Sequence, residues 1–347
     1  MIDYKKLKEA YENEGFYSLQ LEVGDMCFQG CIYCYMNALE EERNTLSDEE
    51  IDSILRDAKR LGITAIEWLG GEPLLRNSIF KHMAIAADLG FRNNIWTGGL
   101  PLSDREIRKK TIHYARVGLI AFHLSTVNPH VYKKLHPSRT ERDLDSIVQA
   151  VRDVLDGGYP PSQILNSVTF TGLQSADDMI ETMDYFESEM KIKTSLNIYH
   201  TYLRPGIPPG ELVRFIPERK DVAKVYAHWA RQWGRKQLPM NCVNKQYCST
   251  TMAVLCDGNI TPCATIREKD APNIHSEGSL YRVATDFKDS LIFKRFRDKA
   301  KLPLDCQSCK LQEECFGCRS RAYASGAGLY GKDTACFRKV SHNLKAY

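Results

Sequence analysis

From residue 16 to about residue 203, short apolar runs alternate with longer stretches of helical period, each helical stretch opening on a polar cap and closing on glycine. Helix starts are signalled at Ser47 with Glu50, Ser103 with Glu106 and Ser175 with Asp178, where a side-chain oxygen can satisfy orphan amides. Ends fall at Gly62, Gly90, Gly118 and Gly157. The spacing predicts strands at Tyr17 to Val23, Ile63 to Leu69, Phe91 to Thr97, Leu119 to Ser125, Ile164 to Thr171 and Ser195 to Leu203. Parallel strands joined by helices must bury both sheet faces, and right-handed connections curl such a sheet into a full or partial α/β barrel.

Ligands gather at the carboxyl ends of such strands. Two motifs fall on that rim. "GDMCFQGCIYCYM", residues 24–36, follows the first strand, and Gly70, Gly71, Glu72 and Pro73 follow the second. Strand alternation places Gln20 with Glu22, His123 with Ser125, and Asn197 with Tyr199 and Thr201 on one face each, lining the lumen. Glu22, His123 and His200 are the titratable candidates for a substrate base, and "NIYHTYL", residues 197–203, is the favoured substrate contact. "RPGIPPG", residues 204–210, interrupts regular structure and reads as a domain junction, followed by a helix from Glu218 to about Arg235.

The amino terminus is charged where a signal peptide needs an apolar stretch, and no run approaches a membrane span, so the reading is cytoplasmic with no membrane partner. A formal charge of +3 on a chain of 347 residues gives no reason to expect nucleic acid. In a reducing compartment, 12 clustered cysteines argue for metal ligation rather than disulfides.

Cys27, Cys31 and Cys34 have the spacing CX3CX2C, with Gly30 easing the backbone between them. Three thiolates on a four-iron cube leave one iron bare, whereas structural zinc and ordinary electron-carrier clusters close with four ligands. From spacing alone zinc remains open. "CFQGCIYC" after the first strand together with "GGEP" after the second resembles the radical S-adenosylmethionine superfamily. The resemblance implies a partial (β/α)6 TIM-like barrel and a bare iron that chelates S-adenosylmethionine for reductive cleavage to a 5′-deoxyadenosyl radical. It implies that Tyr33 lies near the adenine, that Gly70, Gly71 and Glu72 meet the methionine ammonium, and that Ser125 meets the ribose or carboxylate. Arg139 is a candidate for the carboxylate, a solvated loop arginine being the alternative.

Beyond the junction, "CSTTMAVLCDGNITPC" gives CX9GX4C from Cys248 to Cys263, with "DGN" as a hairpin turn, and "CQSCKLQEECFGC" gives CX2CX5CX2C. The second motif alone fits a zinc site equally well. With Cys336 the set resembles the SPASM extension, which binds two auxiliary four-iron clusters. The resemblance assigns Cys242, Cys248, Cys263 and Cys318 to one cluster and Cys306, Cys309, Cys315 and Cys336 to the other, three clusters in all. A CX2C stands before the final gap where the commonest pattern has CX3C. The expected organisation is a radical SAM barrel with an N-terminal helix over residues 1–210, a helical linker over 211–240 and a SPASM domain over 241–347. Cys256 is left over, either a packing residue or a hydrogen-atom donor in an epimerase.

SPASM enzymes modify peptides and proteins or oxidise sugars, cyclitols and cofactor precursors, with a flavodoxin or ferredoxin as reductant. The barrel begins within about fifteen residues, so the resemblance implies no fused leader-peptide-binding domain. The cysteine spacing is similar to that of anaerobic sulfatase maturases, but those carry aspartate where Ala264 follows Cys263. The leading expectation is a two-electron oxidation or cross-link on a peptide or protein. Dehydrogenation or epimerisation of a small polar metabolite comes second, and a non-catalytic iron–sulfur or zinc protein is the reading of another class.

Overall fold

The computed structural model describes residues 2–199, 209–234, 238–268, 270–287 and 299–339. Its centre is one eight-stranded sheet: β1 (Ser18–Glu22), β2 (Ala65–Leu69), β3 (Arg92–Thr97), β4 (Leu119–Phe122), β5 (Ile164–Phe170), β6 (Lys193–Ile198), β7 (Thr251–Val254) and β8 (Ile260–Thr261). The order is β6-β5-β4-β3-β2-β1-β7-β8. All neighbours are parallel except the β7–β8 hairpin, so the sheet ends at two edges and forms a partial barrel.

Helices α1 (Tyr4–Glu12), α2 (Asp48–Arg60), α3 (Ile79–Asp88), α4 (Arg105–Tyr114), α5 (Pro129–Leu135), α6 (Glu141–Asp156) and α7 (Ala176–Met190) carry the connections. The expected capping box forms at Ser47 and Glu50, and Ser175 accepts from the Asp178 amide. Ser103 is a correction. It belongs to a 3-10 turn over Leu100–Ser103, and Asp104 caps α4 by accepting from the amides of Glu106 and Ile107. Apolar side chains on the outer sheet face, including Leu19, Leu21, Ile66, Trp68, Ile95, Ile120 and Phe122, pack with the helices into the main core. Registered pairs Gln20 with Glu67 and Glu67 with Asn94, then Ser167 with Ser195 and Thr169 with Asn197, put polar residues on the opposite, lumenal face.

The hairpin after the cysteine-rich boundary does not stand apart from the barrel: β7 pairs in parallel with β1, with Ser18 opposite Thr251 and Leu21 opposite Val254. Its turn is the "DGN" expected, with Gly258 at φ 85° and the Asn259 amide donating to Asp257. The helix after the junction runs Arg219–Trp233. Strand β6 ends at Ile198, and His200, Thr201 and residues 202–208 lie outside the described residues. Among the described residues no helix is long and apolar enough to cross a membrane.

Candidate functional site

The cysteine trio sits in a loop that the glycines after β2 hold by backbone contact. The Gly71 amide donates to Gly24 O at 2.9 Å and the Glu72 amide to Met26 O at 2.8 Å. A Cβ at Gly70 would stand 2.4 Å from Gly24 O and one at Gly71 2.2 Å from Met26 O, so only glycine permits this approach. Gly30 has φ 66° with Ser138 Oγ closing over it, and the Gln29 amide donates to Cys27 Sγ at 3.3 Å.

Burial raises the Cys27 thiol to about 12, the Glu72 carboxylate adding to the shift. Cys31 is pushed well above its usual range by burial, then by the neighbouring Cys34 and Cys27. Such thiols stay protonated at neutral pH unless a cationic centre draws the protons off, as metal coordination does. Three further buried polar atoms around this loop have no partner among the described residues: Gln29 Nε2, His136 Nε2 and Arg139 Nε. Three clustered thiols with unpartnered polar atoms beside them fit a metal cluster with a polar ligand above it.

The sequence-expected contacts fall around the trio in differing states. Glu72 is buried and ties the β2 and β3 loops together, accepting from Gly98 N at 2.6 Å, Thr97 Oγ1 at 2.8 Å and Leu74 N at 3.1 Å. Burial nevertheless lifts its carboxyl to about 7. Tyr33 is buried, bonded through its hydroxyl to His123 Nε2 at 2.7 Å and to Ser125 Oγ at 3.2 Å. Ser125 in turn accepts from the Thr169 amide at 3.0 Å. Arg139 is not a freely solvated arginine: its side chain is 20% exposed and pairs with Glu40 at 2.8 Å.

Two base candidates are engaged. Glu22 is fully buried, meeting Arg267 Nη2 at 2.6 Å, the Tyr35 hydroxyl at 3.0 Å and the Cys256 amide at 3.3 Å. Burial lowers His123 to about 4, so it is neutral at pH 7. Cys256 is buried, its thiol raised by burial and then by Glu22. Sequence reasoning missed Arg267, Gln29 and His136. Arg267 lies beyond the hairpin, and only the parallel pairing of β7 with β1 brings it to the rim.

Eight of the other cysteines interact in two sets of four. Cys242 and Cys248 are hydrogen-bonded through their side chains, and Cys263 and Cys318 also raise Cys248. Cys306 is influenced by Cys336 and Cys309, Cys315 by Cys336 and Cys306, and Cys336 by Cys309. Between the groups Arg321 and Asp333 form a buried ion pair with two contacts of 2.8 Å, and Asp333 also accepts from the Cys318 amide at 2.7 Å. Among the described residues no three His, Cys, Asp or Glu side chains converge on a single-ion position.

Residues 21–186 match the family model described as the Radical SAM superfamily. The chain is 26% identical over 266 residues to a probable GTP 3′,8-cyclase of Methanothermobacter thermautotrophicus, covering 71% of this chain and 83% of that protein. It is 23% identical to the Methanosarcina mazei protein of the same name, covering 72% and 78%. Among solved structures it is similar to Streptococcus suis SuiB bound to S-adenosylmethionine, with TM-score 0.66, 18% identity and coverage of 96% and 80%. It is also similar to anSMEcpe with bound AdoMet and Cp18Cys peptide, with TM-score 0.67, 16% identity and coverage of 95% and 99%. These structural likenesses establish the fold.

Proposed function

The chain carries a radical SAM domain, and from that premise we propose that it uses S-adenosylmethionine to oxidise or cross-link a peptide or protein. Cys27, Cys31 and Cys34 would hold a four-iron cluster with one iron open to the methionine end of S-adenosylmethionine. When bound, the pair supplies a 5′-deoxyadenosyl radical, formed with one electron from a flavodoxin- or ferredoxin-type reductant and able to take a hydrogen atom from an unactivated carbon. The observation that carries this reading is the trio itself: three clustered, half-buried thiols with unpartnered polar atoms of Gln29, His136 and Arg139 beside them.

The chain's own residues aim and shelter that chemistry. Gly70 and Gly71 set the height of the cysteine loop, and Glu72 fixes the β3 loop against it. Tyr33 links the loop to β4 and β5 through His123 and Ser125, and Arg139 would meet the methionine carboxylate through the Nε that its pair with Glu40 leaves unused. Cys242, Cys248, Cys263 and Cys318, and separately Cys306, Cys309, Cys315 and Cys336, would hold two closed auxiliary clusters. They would supply acceptors for the substrate's second electron, so that loss of a hydrogen atom and then an electron, with release of a proton, completes a two-electron oxidation.

A peptide substrate is supported by similarity to SuiB, solved with precursor peptide SuiA, and to anSMEcpe, solved with a bound peptide. Ala264 takes the position after Cys263, its amide donating to Gln20 Oε1 at 2.8 Å, so a carboxylate base there is not part of this proposal. A small polar metabolite is the second reading, favoured by the relatives named for a GTP substrate and by the polar lumenal row Gln20, Glu67 and Asn94. Anaerobic reconstitution with dithionite and S-adenosylmethionine tests the enzyme class. Release of 5′-deoxyadenosine from protein holding about twelve irons is expected; none from protein with intact clusters overturns the proposal.

A further inference from the structure

Arg319 is 1% exposed, directly after Cys318. Its Nη1 donates to Leu329 O at 3.0 Å and Gly331 O at 2.8 Å, which anchors one end of the guanidinium. Nε and Nη2 have no partner among the described residues. A Cβ at Gly317 would lie 2.8 Å from Nη2, so the unpartnered end presses on the turn between Cys315 and Cys318. The Gly317 amide in that turn donates to Cys315 Sγ at 3.3 Å, and Cys306 Sγ lies 3.9 Å from the carbonyl of Phe316, whose ring centroid is 5.9 Å from Arg319 Cζ. Asp333 Oδ2 stands 3.2 Å from the same Gly317 Cβ position, but that carboxylate is taken by a two-pronged pair with Arg321 and makes no hydrogen bond to Arg319 Nε or Nη2.

A buried cation left with two donor groups unused is unfavourable unless something anionic faces it. Resting on the auxiliary-cluster reading above, we propose that the Arg319 guanidinium faces the cluster of Cys306, Cys309, Cys315 and Cys336 and makes it the more oxidising of the two auxiliary clusters. Reduction adds one negative charge to a four-iron cube, and an adjacent cation with spare N–H donors stabilises the reduced form. Electrons from substrate then collect on that cluster before leaving the protein. Arg319 is a positioning and tuning residue and need not touch substrate.

Redox titration of the fully reconstituted protein, followed by electron paramagnetic resonance, tests this without any turnover. In the unaltered protein, the auxiliary signal that Cys309→Ala abolishes is expected to have the higher midpoint. Arg319→Gln is expected to lower that cluster's reduced-to-oxidised ratio at fixed potential about tenfold, about 59 mV for one electron. Arg319→Lys, which keeps the charge, is expected to recover most of the difference. A Cys309-dependent signal with the lower midpoint overturns the inference, even if Arg319→Gln cannot hold its clusters. So does an unchanged midpoint in a fully loaded variant. An iron content near four per chain removes the auxiliary clusters, and this inference with them, while leaving the barrel chemistry standing.

Discussion

Gly71→Ala tests whether backbone contact between the two rim loops sets the height of the cysteine trio. The added methyl would lie 2.2 Å from Met26 O and 2.5 Å from Met26 C, both backbone atoms, where ordinary contact begins at 3.4 Å. One loop must therefore retreat by about an ångström, a scale at which misplaced reacting groups lose roughly 100-fold in rate. Retreat also strains the bonds Gly71 N to Gly24 O and Glu72 N to Met26 O. Overpacking at about 2 kcal/mol and two weakened hydrogen bonds at about 1 kcal/mol each give a loss of about 3–4 kcal/mol. Denaturant unfolding of the apoprotein reads the stability, and 5′-deoxyadenosine release from the loaded protein reads the rate. Gly62→Ala is the control: φ is 75° there but nothing lies within 4 Å, so about 1 kcal/mol is lost with no change in rate. A Gly71→Ala protein within twofold of wild type in rate and as stable as the control would refute the reasoning.

Three other perturbations have defined outcomes. Glu72 has a carboxyl held near 7 by burial against an ordinary value of 4.5, so the fold favours its protonated form. Its contribution is fully present below about 4.5 and is lost as pH rises through about 7, on the order of 3 kcal/mol. His123 and His136, lowered by burial, oppose it in part of that window, so the difference between wild-type and Glu72→Gln unfolding profiles isolates the term. Tyr33→Phe removes the hydroxyl shared with His123 and Ser125 and is expected to cost about 1–2 kcal/mol in apoprotein stability and weaken S-adenosylmethionine binding measured by equilibrium dialysis. Asp333→Ala strands the buried Arg321 charge, a loss of about 3–5 kcal/mol, and iron analysis is expected to fall from about twelve to about four as the C-terminal clusters go.

Local chemistry was legible in the sequence wherever a short-range rule governed it. The Ser47 and Ser175 caps, the Gly258 turn and the polar lumenal rows all follow from neighbours within a few residues. Asp104 displaced Ser103 because both are good caps and the 3-10 turn before them absorbed the serine. The fourth strand stopped at Phe122 rather than Ser125 because the Asn166 side chain takes both the amide and the carbonyl of Leu124, at 3.2 and 3.0 Å, replacing the ladder. That exchange joins residues 42 apart in sequence. The pairing of β7 with β1 and the Arg321–Asp333 pair are likewise products of packing, with no signature in spacing. Glu72 lies in a recognisable motif, but the bonds by which its side chain also braces the β2 and β3 loops, from Thr97 Oγ1 and Gly98 N, have no signature in spacing.

The central claim is that the cluster on Cys27, Cys31 and Cys34 keeps one iron for an exchangeable ligand. Electron–nuclear double resonance on the reduced protein with S-adenosylmethionine labelled at its amino nitrogen tests that directly. Coupling between the labelled nitrogen and a cluster lost in Cys31→Ala is the predicted result. A cluster that shows no coupling at saturating ligand, or whose fourth iron is coupled to a nitrogen of the protein, would contradict the account.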